Sequence, residues 1–451
     1  MQSAPHRFLL RLLWLPALAL LVPACAWAAE MAAVIHKASV DVHATPDFKA
    51  PAIATLKRNA PVTVAGQEGL WFRVELPAGK SGYVRVNDVR MAYAGKADTS
   101  TDVRALFSGT AGQGRVTETA GVRGLDESTL QSAAYDSAQM ATLASYRATP
   151  QAAAAQARAN GWSATDVAFA GEAHPGARGG SIQGEKRGAL SVARGLLSQV
   201  GGGLFGGGGS EALDVADATV GKSEDELAAE ELALGPEIAG RILGAAPLWP
   251  DADAQRRVNL IGRWMASQSS RPELPWTFGV IDSPEVNAFA APGGYVLVTR
   301  GLYQLLADDG EVAAVLGHEI SHIVQRDHYN VIRKQAITET GQDIVANRID
   351  VGGDLAANMA KDYVRRHGAA VMLTRLDRDA EYRADQAAEI YLARSGFNPL
   401  ALYAVLQKMT ALGSASPSLA QLYKSHPPLD ERLDRIDRRG LAGLEQYTQR
   451  R

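Results

Sequence analysis

The stretch "LGHEISHIVQRDH", from Leu316 to His328, decides how the second half of this chain is interpreted. Its apolar residues recur at helical spacing, which predicts a helix with one buried side. His318 and His322 are four residues apart, so both imidazoles project from one face and can ligate a single zinc ion. Glu319 follows the first histidine and can reach a water at the metal without being a ligand itself. This is the H-E-x-x-H pattern.

Two neutral imidazoles do not complete a catalytic zinc site, so this hypothesis requires a third ligand from another segment. The stretch "EYRAD" supplies one, because Glu381 and Asp385 are again four residues apart on one helical face. Glu381 can complete the metal triad, and Asp385 can accept a hydrogen bond from a ligand histidine. The alternative is an ordinary amphipathic helix with two solvated or hydrogen-bonded histidines. The third ligand favours one Zn²⁺ per chain.

Four motifs, in this order along the chain, together resemble metallopeptidase family forty-eight, the prenyl-protease-like gluzincins, in its soluble bacterial form. They are "NAFAAPGGYVLVTRGL" (Asn287 to Leu302), "GHEISH" (Gly317 to His322), "EYRAD" (Glu381 to Asp385) and "SHPPLDERL" (Ser425 to Leu433). The resemblance implies a mainly helical, α+β gluzincin domain over residues 226–451. It also implies that the zinc ligands are His318, His322 and Glu381, and that Glu319 is the catalytic base.

One segment interrupts the helical pattern of this second half. Between Trp276 and Leu302, the β-branched run at residues 280–281 and the run Tyr295 to Thr299 flank a Pro-Gly-Gly turn, which predicts a hairpin. A strand with a free edge near the metal can pair with the backbone of an extended substrate. We assign this role to Tyr295, Val296, Leu297, Val298 and Thr299, with Asn287 and Ala288 near the cleft. Pairing through the backbone depends little on the identity of the substrate's side chains, so unfolded or misfolded proteins are the expected substrates.

Two further residues have open interpretations. His426 either hydrogen-bonds the transition-state oxyanion or occupies the open zinc position and holds the enzyme latent; otherwise it caps the turn before two prolines. Arg432 either pairs with Asp385 or steadies the cleft; otherwise it forms a surface salt bridge. His328 is interpreted as a bystander, because six residues beyond His322 it falls on another face of a continuous helix.

The first 29 residues are typical of an export signal: arginines precede an apolar run, and small residues follow it. The run is short for a bilayer-spanning helix, and no later segment is apolar enough to span one. This predicts a periplasmic protein with no transmembrane segment in the mature chain. Cys25, the single cysteine, lies within the signal, so no disulfide is expected. Lipid attachment through Cys25 is the alternative.

Two further regions precede the peptidase-like half. Residues 30–94 alternate polar and apolar residues between closely spaced turns, which predicts a small antiparallel barrel that resembles the bacterial SH3-like domain. Such domains bind cell-wall material or peptides, but Trp71, Phe72 and Tyr83 are equally consistent with a packed core. Residues 95–225 combine Ala-rich helical pieces with "GGGLFGGGG", which is typical of a flexible linker.

Composition excludes one class of partner and leaves two functions open. The 451 residues are 46% apolar and 21% charged with a net charge of −3, so there is no general attraction to nucleic acid. The motifs favour a multidomain zinc endopeptidase, and the family resemblance together with the export signal implies that it hydrolyses unfolded or misassembled envelope proteins. The alternative is a non-proteolytic chaperone or a cell-wall adaptor whose metal site is latent.

Overall fold

The computed structural model describes residues 31–91, 125–172, 224–347, 355–413, 415–441 and 443–450. The predicted export signal with Cys25 and the glycine-rich stretch at 201–209 lie outside these residues. Within the described ranges, no helix combines the length and the apolar composition that crossing a bilayer requires.

The N-terminal region is an antiparallel seven-stranded barrel, which confirms the predicted SH3-like fold. Its strands run in the order β3-β2-β6-β5-β4-β1-β7. Alternate residues such as Val40 and Val42 point inward, as the period of two requires. Phe72 and Trp71 are buried, whereas Phe48, which packs edge-on against Trp71, is 45% exposed. The bounds are β1 Met31–Ile35, β2 Ser39–His43, β3 Ala52–Lys57, β4 Pro61–Glu68, β5 Trp71–Leu76, β6 Lys80–Arg85 and β7 Val89–Met91, with a 3-10 turn at Pro77–Gly79.

The described part of the middle region packs against the second half of the chain. It contains α1 Glu127–Ser132, α2 Ser137–Ser145 and α3 Pro150–Ala159. Gln139 accepts a hydrogen bond from the backbone N–H of Leu248, and Arg147 donates to Thr277 at 2.8 Å. The helices of 125–172 are therefore part of the packing around the peptidase-like half.

The second half is mainly helical, as predicted. Its central helix, Asp309–Gln325, starts after Asp308, whose side chain accepts a hydrogen bond from the Glu311 N–H. Every residue from Glu311 to Val324 is buried. The helices are α4 Glu224–Ala245, α5 Ala252–Ala266, α6 Arg300–Tyr303, α7 Asp309–Gln325, α8 Asp327–Asn347, α9 Leu355–His367, α10 Arg378–Arg394, α11 Leu400–Ala411, α12 Leu422–Ser425 and α13 Leu429–Arg439, with 3-10 turns at Gly368–Leu373, Pro417–Leu419 and Glu445–Tyr447.

A three-stranded sheet, in the order β8-β10-β9, lies against these helices. Its strands are β8 Thr277–Ile281, β9 Ala288–Ala291 and β10 Tyr295–Thr299. β10 pairs with β8 in parallel and with β9 in antiparallel fashion. The predicted hairpin therefore exists, but its first strand is β9 instead of the run in β8.

The barrel and the helical half share a partly buried polar contact. Gln67 of β4 donates to a Glu311 carboxylate oxygen at 2.9 Å, in the first turn of α7. The same carboxylate binds the ammonium of Lys408 at 2.6 Å, and both charged side chains are fully buried. Gln407, the neighbour of Lys408, donates to the backbone carbonyl of Val89 at 2.6 Å. The barrel thus packs directly on the helix that carries the H-E-x-x-H pattern.

Candidate metal centre

Helix α7 presents its two histidines side by side in the interior. His318 and His322 are buried, and their Nε2 atoms lie 3.2 Å apart. The helix spacing of four residues produces this proximity, as the sequence predicts. Glu319 lies between them in the chain and is also buried.

Helix α10 brings a carboxylate to this pair. The Glu381 oxygens lie 3.6 Å from His318 Nε2 and 3.8 Å from His322 Nε2. A third imidazole, that of His426, approaches the same carboxylate at 3.7 Å. Both Glu381 oxygens are buried and have no hydrogen-bond partner among the described residues. A buried carboxylate without a partner is costly, which points to a cation between these groups.

The donor set fits a zinc ion. Nitrogen and oxygen atoms of His318, His322, Glu381 and His426 all lie within 4.8 Å of one another. A tetrahedral ion with bonds of about 2.1 Å holds its donors roughly 3.4 Å apart, close to the separations measured here. Imidazole nitrogen with one carboxylate is also the donor chemistry that zinc prefers. Glu319 is not part of this group of possible ligands among the described residues.

An acidic residue and an arginine stand behind His318. His318 Nδ1 lies 3.1 Å from Asp385, one helical turn beyond Glu381 on α10. Arg432 of α13 binds both oxygens of Asp385, at 3.0 and 2.5 Å. The side chains of His318, Asp385 and Arg432 are all buried. Arg432 therefore pairs with Asp385, as one interpretation of the sequence proposed, and the alternative of a surface salt bridge is wrong.

A second acidic residue, which sequence reasoning missed, stands behind His322. His322 Nδ1 lies 2.9 Å from Asp327, and Arg383 contacts the other oxygen of Asp327 at 3.0 Å. A carboxylate behind a ligand histidine fixes the orientation of the ring. Asp327 follows a break in the helix at Arg326, so no helical periodicity links it to His322.

Burial and charge set the ionisation of the cluster. Burial alone raises the pKa of the Glu381 carboxyl, but His426, His318 and His322 hold it well below its usual range. Burial lowers the pKa of His426 to about 3. Glu381 is therefore an anion and His426 a neutral base near pH 7, which are the states that metal ligands require.

The pKa values of His318 and Glu319 are raised, in contrast to those of Glu381 and His426. Burial and Arg432 oppose protonation of His318, yet its contacts with Asp385 and Glu381 raise its pKa to about 9. Burial raises the pKa of Glu319. A carboxyl with a raised pKa accepts a proton more readily near neutral pH.

His328 is closer to the cluster than the sequence indicated. Because a new helix starts at Asp327, the ring of His328 turns back to 5.9 Å from that of His322. The expectation that His328 lies on another face of a continuous helix is therefore wrong, because the helix ends at Gln325. His328 does not contribute to the group of possible ligands found among the described residues.

The predicted substrate strand needs one correction. Tyr295, Val296, Leu297, Val298 and Thr299 form the middle strand of the sheet, with neighbours on both sides, so they cannot offer a free edge. Side-chain amides of Gln255 and Asn259 occupy the backbone groups on the outer edge of β8. The edge strand is β9, which begins at Ala288 directly after Asn287.

Register identifies the backbone groups that β9 turns outward. Thr299 donates its N–H to the carbonyl of Asn287, and Val298 and Val296 lie opposite Ala288 and Ala290. Alternation in antiparallel pairs then directs the N–H and C=O of Ala288 and Ala290 away from β10. The side-chain oxygen of Asn287 is buried and has no partner among the described residues.

Comparison with known proteins supports this architecture. Residues 252–440 match the model of peptidase family M48, and residues 38–89 match that of the bacterial SH3 domain. The chain therefore contains a peptidase family M48 domain and a bacterial SH3 domain, which confirms the resemblance drawn from the motifs.

Curated relatives match less than half of the chain's length. The beta-barrel assembly-enhancing protease of Yersinia pestis is 27% identical over 208 residues, which is 45% of this chain and 42% of that protein. Its Escherichia coli K12 counterpart is 26% identical, with the same shares. The mitochondrial metalloendopeptidase OMA1 of Arabidopsis thaliana is 28% identical over 36% of this chain and 31% of its own length. The chain thus spans less than half of these relatives.

Proposed function

We propose that this chain is a zinc-dependent endopeptidase that hydrolyses unfolded or misassembled proteins of the bacterial envelope. The observation that carries this proposal is the buried Glu381 carboxylate, whose oxygens have no hydrogen-bond partner in the described chain and which three imidazoles surround. His318, His322 and Glu381 would hold the ion. Zinc, when bound, supplies a Lewis acid for the scissile carbonyl and for the attacking water.

Glu319 is proposed as the general base. It lies beside the first ligand on α7, is buried, and has a raised pKa. In this role its carboxylate takes a proton from the attacking water and passes it to the leaving amine. No covalent bond to the enzyme is required.

β9 is proposed to bind the substrate backbone. Its outward-facing groups at Ala288 and Ala290 can pair with an extended peptide, as in other strand additions. The unpartnered oxygen of Asn287 can accept one further N–H from that peptide. Because these contacts involve the substrate backbone, they favour chains that are already unfolded.

The site is closed in this structure. No residue of β9 is more than 9% exposed, and the four candidate ligands are buried as well. Access for a polypeptide therefore requires movement of the segments that cover them. The position of His426 beside Glu381 supports its role as a removable fourth ligand that keeps the enzyme latent. Its alternative role is to hydrogen-bond the oxyanion.

Substitution of His426 separates these two roles. The variant His426→Ala is expected to cleave unfolded casein faster than the parent if the imidazole blocks the site. A slower rate at unchanged zinc content would assign it to the oxyanion.

The experiment that tests the whole proposal compares the parent with Glu319→Gln. Both proteins are expected to contain one zinc per chain, and only the parent should digest an unfolded protein, in a reaction that a chelator abolishes. An unfolded substrate should be cleaved faster than its folded form. A parent without zinc, or an active Glu319→Gln variant, contradicts the proposal.

The matched SH3 domain supports a second candidate, a chaperone or cell-wall adaptor. In that case Glu319→Gln would retain every cellular role of the parent. Co-sedimentation of the full chain with purified peptidoglycan tests the cell-wall form of this idea. Export to the periplasm, or a lipid anchor at Cys25, is tested by locating the mature N-terminus.

A further inference from the structure

The end of the metal-facing helix has an unusual backbone conformation. Helix α7 stops at Gln325, and Arg326 adopts φ 58° and ψ 32°, in the left-handed region. This region is unfavourable for a residue with a Cβ, and such a position is usually glycine. The N–H of Arg326 donates to the carbonyls of His322 and Ile323. A contact from elsewhere in the fold can offset this cost and stabilise the turn.

The turn determines where Asp327 lies. In a continuous helix a residue five positions after His322 points to a different face, so it could not reach His322 Nδ1. The left-handed residue interrupts the helix, and α8 starts at Asp327, whose carboxylate lies 2.9 Å from that nitrogen. The hydrogen bond to His322 therefore depends on the conformation of Arg326.

A single buried carboxylate, that of Glu231 on α4, holds the turn. It binds the guanidinium of Arg326 at 3.0 Å and both terminal nitrogens of Arg271 at 3.0 and 2.7 Å. Arg271 also donates to the carbonyl of Ile323, in the last turn of α7, at 3.0 Å. Glu231 is fully buried.

The same carboxylate also contacts the substrate-side sheet. Glu231 accepts a hydrogen bond from the backbone N–H of Gly293, in the turn between β9 and β10, at 3.2 Å. Gly293 has φ 74°, and an added Cβ would lie 3.1 Å from the Glu231 carbonyl. Glu231 thus connects the end of the metal-facing helix with the proposed substrate strand.

We propose that Glu231 is a positioning residue for the metal site, which holds Arg326 in the left-handed turn and thereby fixes the hydrogen bond between Asp327 and His322. This inference rests on the proposed function, because it concerns the same zinc ligands. Buried ion pairs contribute little net stability compared with apolar packing. The role we assign to this network is therefore to position Arg326 and Asp327.

Two substitutions at Arg326 test the proposal without leaving Arg271 unpaired. Arg326→Ala removes the contact with Glu231 but keeps a Cβ, so the left-handed turn loses its support. Arg326→Gly removes the same contact, yet glycine adopts this conformation without support. We expect Arg326→Ala to weaken zinc binding about tenfold, in the range seen when an outer partner of a ligand is lost. Arg326→Gly should stay within about threefold of the parent.

The measurement is the zinc dissociation constant of the full chain, from competition with a chelator at a temperature where every variant is folded. The absorption spectrum of the Co²⁺-substituted protein is the second readout, and it should change in Arg326→Ala but not in Arg326→Gly. Arg256→Ala, which removes an exposed arginine paired with Asp253 on α5, is the matched control and should bind zinc like the parent.

Glu231→Gln extends the test to the carboxylate. It should weaken zinc binding about tenfold, and the double variant with Arg326→Gly should recover most of this loss. Equal affinities for Arg326→Ala and Arg326→Gly would overturn the inference, whether both match the parent or both are weak. A parent chain that binds no zinc would instead contradict the proposed function, so the two failures are distinguishable.

Discussion

The two histidines of α7 have the same kind of partner behind them, a carboxylate bound to an arginine, but the two pairs differ in their access to water. In the pair behind His318, the side chain of Asp385 is 3% exposed and that of Arg432 is 4% exposed. Behind His322, Asp327 pairs with Arg383, whose side chain is 34% exposed. An ion pair sealed from water is costly to break, whereas solvent compensates the loss of an open one. We therefore expect equivalent roles in zinc binding but unequal contributions to stability.

The largest effect is expected for Asp385→Ala, because it leaves the Arg432 guanidinium buried without its carboxylate. The free energy of unfolding should fall by about 3–5 kcal/mol. Zinc affinity should fall by roughly 10–100-fold, because the orientation of His318 is no longer fixed. Urea denaturation of the metal-free chain and chelator competition measure the two effects. Parent-like stability would show that this pair is not sealed.

A third carboxylate–arginine pair, without a histidine, sharpens the comparison through pH. Glu389, one turn beyond Asp385, binds Arg439 and is buried, and burial raises its pKa to about 7. Unfolded, the same carboxyl titrates near 4.3, so the folded chain holds an extra proton between these pH values. Stability should therefore fall as pH rises from about 4.3 to 7.

The variant Glu389→Gln removes this titration. The difference in unfolding free energy between pH 5 and pH 8 should shrink by roughly 2–3 kcal/mol relative to the parent. Urea denaturation at the two pH values measures it. An unchanged difference would mean that Glu389 titrates at the same pH in both states.

Asp327→Ala tests the ion pair that is partly exposed to water. Zinc affinity should fall by roughly 10–100-fold, as for Asp385→Ala, because His322 loses the equivalent partner. The cost in stability should be only about 1–2 kcal/mol, since water can solvate Arg383 in the variant. Chelator competition and urea denaturation again provide the values. A loss of stability as large as that of Asp385→Ala would remove the distinction between the two pairs.

The smallest effect is expected for Arg383→Ala. This partly exposed arginine should contribute at most about 1 kcal/mol to stability. Zinc affinity should remain within about threefold of the parent, because Asp327 still accepts the hydrogen bond of His322. Isothermal titration with zinc measures the affinity. A loss of tenfold or more would assign Arg383 a direct part in holding Asp327.

Regular helices made much of the metal centre predictable from sequence. The spacing of four residues placed His318 with His322, and Glu381 with Asp385, because a helix brings such positions onto one face. Asp327 could not be found in this way. Its approach to His322 depends on a left-handed turn at an arginine, and nothing in the local sequence indicates that conformation.

The sheet shows a second limit. β10 is rich in β-branched residues, so the sequence predicts it as the substrate-binding edge, whereas three of the four residues of β9, "AFAA", are alanines, which have a weak strand preference. Strand order is decided by long-range pairing, which residue pattern alone does not contain. The sequence likewise assigns the helices of 125–172 to a separate middle region, because Ala-rich stretches do not indicate the surface on which they pack.

The contact between Gln67 and Glu311 has a consequence for the history of this chain. If the barrel were lost or exchanged, the amide would disappear, and the Glu311–Lys408 pair would face either water or an unmatched surface. An exchanged barrel would therefore fit best with a matching change in the first turn of α7 or the middle of α11. We expect substitutions at Gln67, Glu311 and Lys408 to track one another across descendants.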